Sequence, residues 1–407
     1  MKPMKVLHIS SGNLYGGVEV FLATLSRERA CCPEMEPHFA LCFEGRLSQE
    51  LTALGTLANM LGAVQTRFPW QVWLARRRLA ALLREGAFDV VVCHMAWAQA
   101  IFGPVVRRAG LPLIFWMHDV AQGKHWIERW AALCPPALAI CNSRFTAGSL
   151  PKLFPRSTPP HEVVYCPVSP PTISLDPQER AALRASLDTP PDACVIIQVG
   201  RMEPYKGHTL HLDALARIAD LPGWVCWIVG GAQRPHEHSY LASLKEQAAA
   251  AGIGERVRFT GSRHDVPALL QSADIFCQPN LGPEPFGIVF IEALYAGLPV
   301  VTAAQGGALE IIDQTCGCLV SSDSPGTLAD TIRQLITHNH LHDSFGAACP
   351  ARATRLCAPS SVLGELTKAL TDLLSAQSGW RLPTNIFGST IYSEAERSRE
   401  TVMPQSR

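Results

Sequence analysis

The sequence predicts an α/β fold: two doubly wound domains, each a mainly parallel sheet with helices on both faces, opposed across a central cleft. Three observations carry this. At 407 residues the chain exceeds the roughly 250 to 300 residues at which a single hydrophobic core stops growing. Short apolar strand-like runs alternate with amphipathic helical stretches, as crossover connections between parallel strands require. The alternation halts once, at a proline-rich polar segment, and restarts with a strand entering a glycine loop.

The first domain, residues 1–168, opens with the strand KVLHIS (5–10), the loop SSGNLYGG, and then Val18, Phe21, Leu22 and Leu25 at helical spacing. Strand, glycine loop and helix make a Rossmann-like first unit. HFALCF (38–43), DVVVCH (89–94), LPLIFWMHD (111–119), ALAICNS (137–143) and EVVYCP (162–167) read as further strands, and QVWLARRRLAALLRE (71–85) as the helix before DVVVCH. PVSPPTISLDPQE (167–179) is the linker.

The second domain, residues 169–360, repeats the pattern. CVIIQVGR (194–201) is its first strand and glycine loop, HTLHLDALARIA (208–219) the following helix, and WVCWIVGG (224–231), VRFTG (257–261), ADIFCQP (273–279) and LPVVTA (298–303) its later strands. A last amphipathic helix over 361–377 is expected to pack back toward the first domain. The polar segment 378–407 is predicted to be disordered.

A hydrophobic fraction of 47%, 17% charged residues and zero net charge describe a globular chain and exclude a fibrous or disordered one. The charge is unevenly spread: residues 1–166 carry +6 and residues 167–407 carry −6. A basic first half suggests an anionic partner, such as phospholipid headgroups or a phosphorylated acceptor, although solvated arginines give the same count. Nothing points to nucleic acid. No apolar run approaches the roughly 20 residues of a membrane span, and MKPMKVLHISSGN reads as a strand and not as a secretory segment, so a cytoplasmic protein is expected. The 14 cysteines include no Cys-x-x-Cys pair, which leaves no zinc or thioredoxin-type motif.

In doubly wound sheets ligands bind outside the carboxyl ends of the strands, so the chemistry should lie in the loops that follow them. In Gly12-Asn13-Leu14-Tyr15-Gly16-Gly17 small residues let the backbone approach a ligand at a helix N-terminus, as they also would in a plain tight turn. Gly200-Arg201-Met202-Glu203-Pro204-Tyr205-Lys206-Gly207 holds a bidentate cation and a point cation five residues apart, which suits a diphosphate. In PEPFGIVFIEALYAG, Glu284 lies in a loop and Glu292 just over one turn inside the next helix. Between them the amides of Gly287, Ile288 and Val289 are free for an anion. Carboxylates flanking an anion site make sense if each binds hydroxyls, and the ligand then carries both phosphate and sugar. Gln305-Gly306-Gly307 after LPVVTA, and His118 after LPLIFWM, face the same cleft.

GGVE (16–19), GRMEPYKG (200–207), EPFGIVFIEALYAGLPVV (284–301) and GGALEIIDQTCGCLV (306–320) together resemble the retaining, GT-B-fold glycosyltransferases called group 1 or family GT4. The resemblance runs in order over residues 5–376. It implies a nucleotide-diphosphate-sugar donor contacted by Gly16, Gly17, Arg201, Lys206, Glu284, Phe286, Gly287, Ile288, Val289 and Glu292. Arg201 and Lys206 neutralise the diphosphate, Glu292 binds the ribose, and Glu284 lies beside the transferred sugar. His118 contacts the sugar and helps to place the reacting centre. It further implies retention by front-face attack, so that Glu284 is not a nucleophile.

The chain contains no Asp-x-Asp, and neither metal nor cofactor is required; the cations take the place of a metal. The expected reaction moves a sugar to a hydroxyl of a glycan or lipid-linked acceptor in cell-surface polysaccharide or glycolipid biosynthesis. Two other classes stay open: a nucleotide-sugar epimerase or glycan phosphorylase of the same fold, and a catalytically silent sugar-nucleotide-binding subunit. RFPWQVWLARRRLAALLR (67–84) would suit peripheral contact with an anionic membrane, and equally an ordinary helix packed on the sheet. The loop AQGKHWIERWAAL (121–133) is a candidate acceptor cover or a plain connection.

Overall fold

The computed structural model describes residues 2–13, 15–232 and 234–378. The predicted disordered segment 378–407 therefore lies, from 379 onward, outside the described residues.

The first sheet contains β1 (Met4–Ser10), β2 (Met35–Leu41), β3 (Ala58–Met60), β4 (Val90–His94), β5 (Leu113–Met117), β6 (Leu138–Cys141) and β7 (His161–Val163). They are ordered β3-β2-β1-β4-β5-β6-β7, all parallel. The second sheet contains β8 (Cys194–Val199), β9 (Trp224–Val229), β10 (Val257–Gly261), β11 (Ile275–Gln278), β12 (Val300–Ala303) and β13 (Gly317–Val320). Their order is β10-β9-β8-β11-β12-β13, again parallel. Both orders reverse direction beside the first strand, between β1 and β4 and between β8 and β11, which is where such sheets open a crevice for ligands. The expected two-domain α/β architecture is thus found.

Strands buried on both faces can be apolar at every position. VVVCH, LIFWM and WVCWIV are buried throughout, which is why they read as unbroken runs. Three readings need adjustment. HFALCF starts earlier, at Met35, because Met35 pairs with Met4 in the register of β1 and β2. β3 is an edge strand of three residues with no apolar alternation to reveal it. The predicted linker ends in a helix, Pro177–Ala185, whose cap Asp176 accepts from the Gln178 and Glu179 amides. The capping residue, the proline after it and Glu179 were all visible in the sequence.

The domains are joined through side chains as well as the linker. The Tyr165 ring stands 5.3 Å from that of Phe286. Ser143 Oγ donates to the Pro285 carbonyl at 2.6 Å. Glu310 accepts from the Arg144 and Phe145 amides and from the Tyr165 hydroxyl, at 3.0, 2.9 and 3.0 Å. The last helix, Pro359–Ser378, buries Leu363, Leu366 and Leu370 and packs against the turn Arg29–Cys31 of the first domain.

Candidate active site

The loop after β8 turns through Gly207, whose φ is 74° and whose missing Cβ would collide with the Pro279 carbonyl. That contact brings Lys206 to the loop after β11. Its Nζ lies 2.6 Å from Glu284 Oε2, and Asn280 Nδ2 donates to the same oxygen at 3.1 Å. Arg201 pairs with Glu203 at 2.8 Å. Both cations are therefore held by carboxylates, Arg201 within its own loop and Lys206 by the loop after β11.

The glycine loop after β12 holds Glu284 in place. Gly307 N donates to the Glu284 carbonyl at 2.7 Å, and Gln305 Nε2 donates to the Asn280 carbonyl at 2.6 Å. Gly306 has φ 64° and runs alongside Glu284 as a single parallel bridge.

At the start of the helix Ile288–Tyr295, the amides of Gly287, Ile288 and Val289 donate to no carbonyl of the described residues, so they are available to an anion. Phe286 is 2% exposed and its ring packs on Tyr165, so what it turns to a ligand is backbone. Glu292, half-buried, takes no hydrogen bond on its carboxylate from any described residue, and burial pushes it up to about 7. A carboxylate without internal partners is well placed to accept from hydroxyls of a ligand.

Opposite, the helix Gly17–Arg27 points its N-terminus at the same place: a Cβ on Gly17 would lie 3.7 Å from Ile288 Cδ1. Two positive helix ends thus converge. The Gly16 amide, however, is taken by Glu19 Oε2 at 3.0 Å, which leaves Gly17 and Val18 as the amides free to meet an anion. Burial raises Glu19 to about 6, against hydrogen bonds from its own and the Gly16 amide and the pull of Arg201. Glu19 and Glu203, partners of the loop and of Arg201, were not singled out in the sequence; the signal for Glu19 was its position three residues after the cap.

His118 follows β5 and lines a cavity of about 210 Å³ with Met95, Asp119, Val120, His125 and Glu128. His125 and Glu128 come from the stretch 121–133, so part of the loop suggested as an acceptor cover does border His118. Met95 holds φ 71°, in the left-handed region that residues other than glycine seldom adopt. Asp119 is raised by burial and then by Glu284, which ties this cavity electrostatically to the donor loop. Contacts and charge thus link Lys206 to Glu284, Glu284 to Gly287 at the start of the helix that carries Ile288 and Glu292, Gly17 to Ile288, and Arg201 to Glu19, with Glu284 also felt at Asp119 beside His118.

Twin parallel sheets in these strand orders, with two helix N-termini, two cations and two carboxylates between them, define a two-domain α/β protein of the GT-B fold. The model of glycosyl transferases group 1 matches residues 179–351 and that of glycosyltransferase family 4 matches residues 15–170. The chain belongs to the group 1, GT4-type glycosyltransferases.

It is 29% identical over 326 residues to D-inositol 3-phosphate glycosyltransferase of Nocardioides sp., covering 72% of this chain and 70% of that one. Over 288 residues it is 32% identical to the enzyme of the same name from Mycobacterium tuberculosis, covering 64% of this chain and 56% of the relative. The chain thus spans little more than half of that relative's length. Among solved structures, the Anabaena protein HepE in complex with UDP-glucose superposes with a TM-score of 0.79 at 23% identity, covering 91% of this chain and 100% of that one. A glycosyltransferase from Rickettsia africae gives 0.79 at 18% identity, covering 92% and 99%.

Proposed function

We propose that this protein transfers a sugar, with retention and without a metal, from a nucleotide-diphosphate-sugar to a hydroxyl of a glycan or lipid-linked acceptor. The observation that carries this is the approach of two helix N-termini, at Gly17 and Ile288, with Lys206 paired to Glu284 just before the second of them and Arg201 in the same loop as Lys206. Cleavage of a glycosyl–phosphate bond leaves negative charge on the diphosphate, and these fixed dipoles and cations stabilise it as it grows. Glu292 receives the ribose hydroxyls, Glu284 the transferred sugar through its second oxygen, and His118 the sugar from the other side. The donor sits on the second domain, and closure of the domains excludes water. Because the HepE structure contains UDP-glucose, that nucleotide sugar is the first donor to try.

The relatives' name suggests inositol phosphate as acceptor. The cavity beside His118 carries Asp119 and Glu128 and favours an uncharged polyol or sugar hydroxyl there. Peripheral membrane contact is supported by Trp70, Trp73 and Leu74, which are 62, 57 and 42% exposed on a helix that also carries Arg76, Arg77 and Arg84. No helix of the described residues is long and apolar enough to cross a membrane. Cell-surface glycan synthesis on the cytoplasmic face fits these features.

The test is a thermal-shift and turnover panel of UDP-, GDP-, ADP- and dTDP-sugars, since a ligand at about 100 times its Kd adds about 2.7 kcal/mol of stability. Failure to bind or turn over any of them sinks the proposal. Conversion of the donor to another nucleotide sugar without an acceptor would favour an epimerase.

A further inference from the structure

His118 is the end of a file of three imidazoles across adjacent strands. His8 lies in β1, His94 closes β4, and His118 follows β5. His8 Nδ1 is 3.0 Å from His94 Nε2, and His94 Nδ1 is 2.8 Å from His118 Nε2. Their exposures are 0, 2 and 8%, and Phe21, Phe39 and Trp116 wall them in. Burial, with the neighbouring histidines adding to it, holds His8 and His118 down to about 3 and His94 well below the usual histidine range. At neutral pH each ring is therefore uncharged and carries one N–H and one lone pair.

That condition makes the file directional. In one polarity His8 Nδ1–H donates to His94, His94 Nδ1–H donates to His118 Nε2, and His118 is left with an N–H on Nδ1. In the other polarity every bond reverses, and a proton sits on His8 Nε2. That atom is fully buried and has no hydrogen-bond partner. A buried N–H without an acceptor is the rarer and costlier defect, whereas a bare lone pair is tolerated more readily.

We propose that His8 and His94 are positioning residues that fix His118 in the Nδ1–H tautomer, so that its remaining nitrogen can only donate to an oxygen of the bound sugar or acceptor. His118 then orients the reacting sugar and takes no proton from the acceptor hydroxyl. The inference rests on the reading of His118 as a sugar contact, and it adds what that contact must be chemically.

The decisive measurement is long-range proton–nitrogen correlation NMR on the full chain labelled with ¹⁵N-histidine, assigned with His118→Asn. A protonated Nδ1 and bare Nε2 on His118 are expected; a bare Nδ1 overturns the proposal. Kinetics with UDP-glucose give the second readout. In His94→Asn the amide still donates toward His118, whereas in His94→Asp the carboxylate accepts and forces the opposite tautomer. Turnover should fall about tenfold or more in His94→Asp and recover substantially in His94→Asn, as the loss of one hydrogen bond implies. UDP affinity should stay within about twofold in both variants, because the second domain holds the diphosphate. Equal turnover in the two variants overturns the proposal. If the wild-type protein turns over no nucleotide sugar, the transferase reading fails, and the NMR spectrum alone decides the tautomer.

Discussion

Lys206 and Glu284 form an ion pair of 2.6 Å in which the side chains are only 12 and 13% exposed. The residues expected to hold the diphosphate and the sugar are therefore coupled before any donor arrives. Burial alone would lower the Lys206 pKa, but Glu284 and Tyr205 more than offset it, and the ammonium keeps its proton. When the diphosphate leaves, Lys206 can shift toward the new charge while Asn280 still satisfies Glu284.

Lys206→Met should consequently damage both stability and rate. Removing one partner of a buried pair leaves the other charge uncompensated, at a cost of about 3 kcal/mol. Losing a preformed donor to the leaving group should cost on the order of 100-fold or more in kcat. Denaturant unfolding and steady-state kinetics of Lys206→Met, Glu284→Gln and the double variant close the cycle. Strictly additive effects would show that the pair is not a functional unit.

The fold was legible because its strands are short, apolar and separated by glycine loops, each a pattern local in the chain. The site was legible only in pieces. Lys206 and Glu284 are 78 residues apart, and Arg144 and Glu310 are 166 apart. No periodicity encodes such pairings; they arise from the strand orders and the docking of the two domains. His8 and His94 stand at visible strand positions, yet no local pattern gives the register of β1, β4 and β5 that brings their rings into line. Phe286 was placed by motif, and only the packing of Tyr165 shows its ring to be structural.

Glu292 should make donor binding pH-dependent. Its pKa, pushed up by burial to about 7, leaves it half protonated near neutrality, and only the carboxylate accepts from both ribose hydroxyls. UDP affinity should weaken as pH falls from about 8 to 6, and Glu292→Gln should flatten that slope. Stability moves the other way. A carboxyl whose folded pKa exceeds its unfolded value, about 4.3, costs stability as pH rises from there to about 7. Glu292→Gln should therefore raise Tm by a few degrees at pH 8 and not at pH 4. A Tm difference that does not change with pH would contradict the assignment.

Gly306→Ala tests the support of Glu284. Alanine is strained at φ 64°, and its methyl group would collide with the Glu284 carbonyl. Gly307→Ala is informative beside it: its methyl group would stand 2.7 Å from Phe286 Cα with ordinary dihedrals, φ −64° and ψ −17°. Each should lose about 2 kcal/mol or more and reduce kcat, because the loop carrying Glu284 must shift. Full activity with unchanged Tm in both would mean that the loop tolerates the displacement.

Glu310 is the clearest test of whether the domains are held in a working geometry. Its carboxylate spans the interface to three donors on the first domain, while Arg352 donates to its carbonyl at 2.9 Å and to that of Ile311 at 2.8 Å. Alanine in its place removes all three interdomain bonds and strands two amides and a hydroxyl. At about 1 kcal/mol for each bond the docking should loosen by on the order of 3 kcal/mol. UDP contacts lie mainly on the second domain, so its affinity should stay nearly constant. The distance from His118 to Glu284 depends on the docking, so kcat/KM for the transfer should fall, on the order of tenfold to 100-fold for an ångström-scale misplacement. Small-angle scattering should show a larger radius of gyration, and a protease should cut faster within residues 167–176. Loss of UDP affinity in parallel with kcat would instead place Glu310 within the donor site.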